Sequence, residues 1–116
     1  MAINSNGSAL AFTGNLNGSQ NLQLTAGAGN IDFDGTVGDT NRLGTLTIVS
    51  AANLTADNTI RAASLTQQAG TGTTTFVGNV DTNTAGVSVT SSGTVTIGTA
   101  AAVSAAGSVL FKSTTS

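Results

Sequence analysis

The stretch Ile31-Asp32-Phe33-Asp34-Gly35-Thr36-Val37 decides the fold, because its pattern is written five times along the chain. The other copies are Leu10-Ala11-Phe12-Thr13-Gly14-Asn15-Leu16, Leu54-Thr55-Ala56-Asp57-Asn58-Thr59-Ile60, Thr74-Thr75-Phe76-Val77-Gly78-Asn79-Val80 and Val95-Thr96-Ile97-Gly98-Thr99-Ala100-Ala101. The central residues Phe12, Phe33, Ala56, Phe76 and Ile97 are spaced by 21, 23, 20 and 21 residues. Two positions before the centre stands Leu10, Ile31, Leu54, Thr74 or Val95. That is the period of a strand, and it puts both on one face. Two positions after the centre stands Gly14, Gly35, Asn58, Gly78 or Thr99. Gly and Asn tolerate positive φ, so a corner is expected there. Leu16, Val37, Ile60, Val80 and Ala101 then face inward again.

A second apolar pair follows in most copies: Leu22 and Leu24, Leu46 and Ile48, Val87 and Val89, Val109 and Phe111. The third copy has only Leu65 in this role. Gly-rich stretches close each unit. A unit of about 21 residues with two or three short strands is the size of one coil of a parallel β-helix. One such coil cannot bury its own apolar face, but stacked coils form a continuous core. At about 4.8 Å per strand spacing, five coils make a rod roughly 24 Å long. The reading is therefore all-β: a right-handed parallel β-helix, or β-solenoid, over residues 9–111. Residues 1–8 and 112–116 read as polar ends outside it. Phe12, Phe33, Ala56, Phe76 and Ile97 should stack as one inner ladder. Asn15, Thr36, Thr59, Asn79 and Ala100 should stack as an outer or corner ladder. An antiparallel sandwich also suits frequent turn signals, but it does not require a whole pattern to recur.

Composition supports this reading and removes many functions. The chain has 116 residues, a net charge of −2, and no Cys, His, Trp, Tyr or Pro. Thr, Gly, Ser and Asn make up about half of it and are poor interior helix residues. Without His or Cys there is no zinc site, thiol nucleophile or serine–histidine triad. Three basic residues provide no footprint for nucleic acid or an anionic membrane. No apolar run approaches the roughly 20 residues of a membrane helix. An export signal, if the protein is exported, is not in Met1-Ala2-Ile3-Asn4-Ser5.

The motif Phe-x-Gly-x-Leu/Val at Phe12–Leu16, Phe33–Val37 and Phe76–Val80, with Leu43–Ile48 after the second copy, resembles a known repeat. It is similar to repeats of filamentous-haemagglutinin-like and autotransporter-like bacterial adhesins. The resemblance covers about residues 9–111. It implies a right-handed parallel β-helix at the bacterial cell surface or outside the cell, serving as a stalk or adhesin. The 116-residue stretch carries far fewer repeats than such proteins and shows no secretion signal, cap or translocator of theirs, so the expectation is either an excised segment or a small protein built from the same unit.

Individual side chains offer few sites. Asp34 and Asp57 follow successive centres and should stack, with Asp32 on the same strand face as Asp34. Three such carboxylates are candidate Ca²⁺ ligands, since Ca²⁺ takes oxygen donors. The alternative is a solvated face that opposes edge-to-edge pairing. Arg61 and Asp81 are equivalent in successive copies and should form an exposed ion pair. Arg42 is placed to touch Asp39. The pairs Thr45/Thr47, Thr73/Thr75 and Thr94/Thr96 present two hydroxyls on one face, the requirement for matching an ice lattice. Glycan recognition through a flat Thr/Asn-rich face is the other binding reading. Sugar sites favour exposed aromatics, whereas the four Phe all fall at inward positions. The final coil, Val95–Phe111, is uncharged and apolar. It is the expected sticky end for head-to-tail stacking of copies, a contact that grows filaments because it does not close.

Overall fold

The computed structural model describes residues 2–98 and 102–113, and all the regular structure among them is β. In chain order the first strands are β1 (Ala2–Asn4), β2 (Leu10–Phe12), β3 (Leu22–Thr25), β4 (Ile31–Phe33) and β5 (Leu43–Ser50). Next come β6 (Leu54–Ala56), β7 (Ile60–Gln67), β8 (Thr74–Phe76) and β9 (Val80–Thr82). The last are β10 (Val87–Ser91), β11 (Val95–Ile97), β12 (Val103–Ser104) and β13 (Val109–Ser113). Every pairing between them is parallel, and each joins strands one coil apart, so the chain is a β-solenoid of about five turns.

Each coil has three faces. The first face is the five-stranded sheet β2-β4-β6-β8-β11. Its register aligns Phe12, Phe33, Ala56, Phe76 and Ile97, the expected inner ladder. The second face is narrow: Leu16 bridges Val37, Val37 bridges Ile60, and Ile60 pairs Val80. Its fifth rung is Val103 opposite Val80. The inward place expected for Ala101 thus belongs to Val103, and Ala101, like Thr99 and Ala100, lies outside the described residues. The third face stacks β1, β3, β5, the end of β7, β10 and β13. Strand β7 runs unbroken through the corner between the second and third faces and joins them into one eight-stranded sheet.

The length between the second and third faces varies, and this explains the uneven repeat spacing. Ile60 to Leu65 is short enough for one continuous strand, whereas Val37 to Leu46 carries the extra loop 38–42. Inward residues of the middle coils are buried: Ile31, Phe33, Leu46, Ile48, Leu54, Ile60, Leu65, Phe76 and Val80 are at most 1% exposed. Burial of this kind contributes roughly 25 cal/mol per Å² of apolar surface and holds the stack together. Phe33 is stacked on Phe12, with ring centroids 5.2 Å apart and planes 12° from parallel.

Two expectations are revised. The polar N-terminal end is not outside the fold, because β1 pairs with β3 and aligns Ile3 with Leu24. Likewise Lys112 and Ser113 pair with Thr90 and Ser91. The corner glycines do not have positive φ; among the described residues that geometry belongs to Asn6, Gly7, Gly18, Gly27 and Gly38. At Gly35 and Gly78 glycine is required for close approach instead, whereas a Cβ on Gly14 would meet open space. A Cβ on Gly35 would strike the carbonyl group of Gly14, and one on Gly78 would strike the backbone of Asn58.

One rung of the third face is polar. The ladder Leu24, Ile48, position 67, Val89, Phe111 is completed by Gln67, which is 1% exposed. Its Oε1 accepts a 3.0 Å hydrogen bond from the hydroxyl of Thr74, itself an inward residue of the first face. Its Nε2 donates to the carbonyl of Ala69 at 3.4 Å. The missing apolar partner of Leu65 is therefore a glutamine whose polar atoms are satisfied inside the core.

Candidate interaction surfaces

The acidic candidates share one side of the rod. Asp32 is the outward residue of β4, aligned with Ala11 and Thr55. Asp34 and Asp57 follow the central rungs, and their N–H groups donate to the carbonyls of Phe12 and Phe33, one coil back. All three are exposed. Next to them Asn58 intervenes, donating its side-chain amide to the Asp34 carbonyl at 2.8 Å. Among the described residues no three Asp or Glu side chains gather closely enough to hold a metal ion.

Arg61 and Asp81 are neighbours across coils, as their equivalence implies. The ion pair is made by a different arginine. Arg42 reaches over coil three to Asp81, Nη2 to Oδ2 at 3.0 Å, and its Nη1 donates to the carbonyls of Ala62 and Asp81 at 3.1 and 2.9 Å. Arg61 turns back to the carbonyl of Asp39 at 3.1 Å. The reason is the loop 38–42. It delivers Arg42 immediately before Leu43, which aligns with Ala62, so Arg42 starts one coil below Arg61 on the same line. From there a guanidinium can satisfy two carbonyls and a carboxylate together, linking coils two, three and four. The expected contact between Arg42 and Asp39 is replaced by that of Arg61.

The corners show a device the sequence reading only half caught. Asn side chains accept N–H groups from the next coil: Asn15 from Thr36 at 3.0 Å, Asn30 from Asn53 at 3.1 Å, Asn53 from Thr73 at 2.7 Å and Asn79 from Ala102 at 2.9 Å. Asn17 and Asn21 do the same for Thr40 and Thr45, both at 2.8 Å. A backbone that turns a corner leaves its strand partner, and the Asn oxygen replaces it. The abundance of Asn, and its place at the equivalent positions Asn15 and Asn79, were the available signal.

The threonine pairs do not join into one array. Thr75 aligns with Thr55 and Thr96 on the first face, whereas Thr45 and Thr47 lie on β5 of the third face beside Ser64 and Thr66. The surface of the described residues carries shallow depressions, among them three along the second and third faces. A pocket of about 90 Å³ opens between Leu16, Leu22 and Leu43. The others lie against Thr45 and Thr47 and against Ser64, Thr66 and Ser88. None of the three is lined by an acidic or basic side chain, so none offers an acid–base constellation.

The two ends differ from the middle. In the last coil Ile97 and Val109, both at inner-ladder positions, are 36% and 45% exposed, and outward Leu110 is 55% exposed. Leu10, Phe12 and Leu16 of the first coil are only partly buried. All the charges fall between Asp32 and Asp81 except that of Lys112. No family model, curated protein or solved structure matches the chain, and no helix of the described residues is long and apolar enough to cross a membrane.

Proposed function

We propose that the chain is a non-catalytic structural β-solenoid, a unit whose coils stack head to tail into filaments or continue a stalk. Its place is the bacterial cell surface or the extracellular space. One observation carries this reading: inner-ladder residues of the last described coil lie open to solvent. Natural solenoids close their ends with polar caps, and natural sheets guard their edges with charges, proline or bulges. Here Ile97 and Val109 lie open at the last coil, and the chain has no proline. The resemblance of the repeat motif to those of bacterial adhesins supports the location. Recognition of a glycan is the secondary reading and draws only on the hydroxyl-rich third face.

Negative-stain electron microscopy at micromolar concentration is the test. Long thin filaments are the expected result, abolished by Val109→Lys, which places a charge on the exposed rung. Discrete particles at all concentrations would overturn the filament reading, and screening against glycans would follow.

A further inference from the structure

Strand β1 and strand β13 sit on the same face of the solenoid. In chain order the faces run third (β1), then first, second and third through five repeats, ending at β13. The third face therefore has six strands, while the first has five. This surplus governs how a second copy can stack. If the helix is continued without a gap, β2 of the second copy lies on β11 and its Leu16 lies on Val103. Its β3 then lies on β13. But β3 already carries β1 on that edge. The two strands compete for one seat.

We propose that β1 is a placeholder, displaced by β13 of a second copy when two molecules join. This rests on the head-to-tail reading above and specifies its mechanism. The register favours the exchange. β1 covers only Gln23–Thr25 and offers one inward residue, Ile3, opposite Leu24. β13 has five residues, with Val109, Phe111 and Ser113 on the inward line set by its pairing to β10. With Phe111 opposite Leu24 of the second copy, Val109 meets Leu22 and its exposed surface is covered. On the first face Val95 and Ile97 meet Leu10 and Phe12, continuing the ladder that already runs through Ile31 and Phe33. Every new rung except that of Ser113 is apolar on apolar. No charge opposes it, since the stretch 2–31 has none and the last coil has only Lys112. Donation of a strand to an open edge is an established way for sheets to join, and exchange of equivalent elements is a low-cost route to assembly.

The test is a reversible staple in the full chain. Ala2 and Gln23 are aligned, exposed residues of β1 and β3, and the chain has no other cysteine. Aligned strands lie about 4.8 Å apart, within the Cα range a disulfide spans. The variant Ala2→Cys/Gln23→Cys is compared oxidised and reduced by light scattering and microscopy. The oxidised form is expected to form no filaments, and reduction is expected to restore them. Filaments from the oxidised form at the reduced rate would overturn the exchange and leave the stacking reading intact. No filaments from either form or from the unaltered chain would overturn both. Ile3→Asp supplies an independent arm. It weakens the placeholder and is expected to speed assembly; slower assembly would show that β1 is itself a docking strand and would overturn the proposal.

Discussion

Replacing Gln67 tests whether the polar rung is part of the design of the core. Gln67→Ala removes the acceptor of the Thr74 hydroxyl, bonded at 3.0 Å, and leaves a void between Ile48 and Val89. The void costs about 2 kcal/mol and the orphaned hydroxyl about 1–2 kcal/mol, a total of about 3–4 kcal/mol. Gln67→Leu fills the space but still strands the hydroxyl, so its net cost is about 1 kcal/mol. Thr74→Val strands the amide oxygen instead and costs about 1–2 kcal/mol. The pair Gln67→Leu/Thr74→Val removes both partners and is expected to match or exceed the original stability. The coupling energy is then about 2–3 kcal/mol. The chain has no Trp or Tyr, so urea unfolding is followed by far-UV circular dichroism. Strictly additive single substitutions would refute the reasoning, because they would mean the two side chains do not depend on each other. Position 70 offers a check on the same site: a Cβ on Gly70 would lie 2.5 Å from Gln67 Nε2, so Gly70→Ala should destabilise the chain less in the Gln67→Ala background.

Phe76→Ala, at a fully buried rung, should cost about 3–5 kcal/mol in the same assay, while Phe12→Ala at the half-buried first coil should cost less than half as much. Gly35→Ala should lower the melting temperature by several degrees, since its Cβ meets the backbone of Gly14 and neither strand can move alone. Arg42→Ala should cost about 1–2 kcal/mol because three hydrogen bonds are lost, two of them to backbone. Asp81→Asn should cost under about 1 kcal/mol, as its side chain is 39% exposed and water screens the pair. Excess Ca²⁺ should leave the melting temperature where chelator leaves it; a rise that is lost in Asp57→Asn would instead assign Asp32, Asp34 and Asp57 as ligands.

The first face was legible because its strands are three residues long and each carries its central residue two positions after another inward one, so the recurring pattern in sequence becomes stacking in space. Phe12, Phe33, Ala56, Phe76 and Ile97 align for that reason. The second and third faces were less legible because the corner between them changes length. In the last coil the corner from the first face to the second is longer as well: the spacing of the other copies, counted on from Ile97, puts the fifth inward residue at Ala101, but it is Val103. The lengthened corner of the second coil hid the Arg42 clamp. Arg42 belongs to a loop with no counterpart in the other coils, so no repeat position predicts its partner.

Hydrophobic periodicity, β-branched composition and a recurring unit of about 21 residues by themselves determined a stack of parallel strands around a continuous core. Those are local and additive properties, and any register that buries the apolar alternation must produce them. Which polar groups complete the stack was decided only in three dimensions. Gln67 is polar in any local reading, and it is buried because Thr74, on another face, answers its amide across the core. The identity of glycine at Gly35 follows from the backbone of Gly14 lying beneath it, not from its own torsion angles. The competition of β1 and β13 for one face is a property of the whole helix, since it depends on how many strand positions separate them. Side chains from distant coils meet only once the coils are stacked, and their hydrogen bonds, close contacts and open edges exist only there.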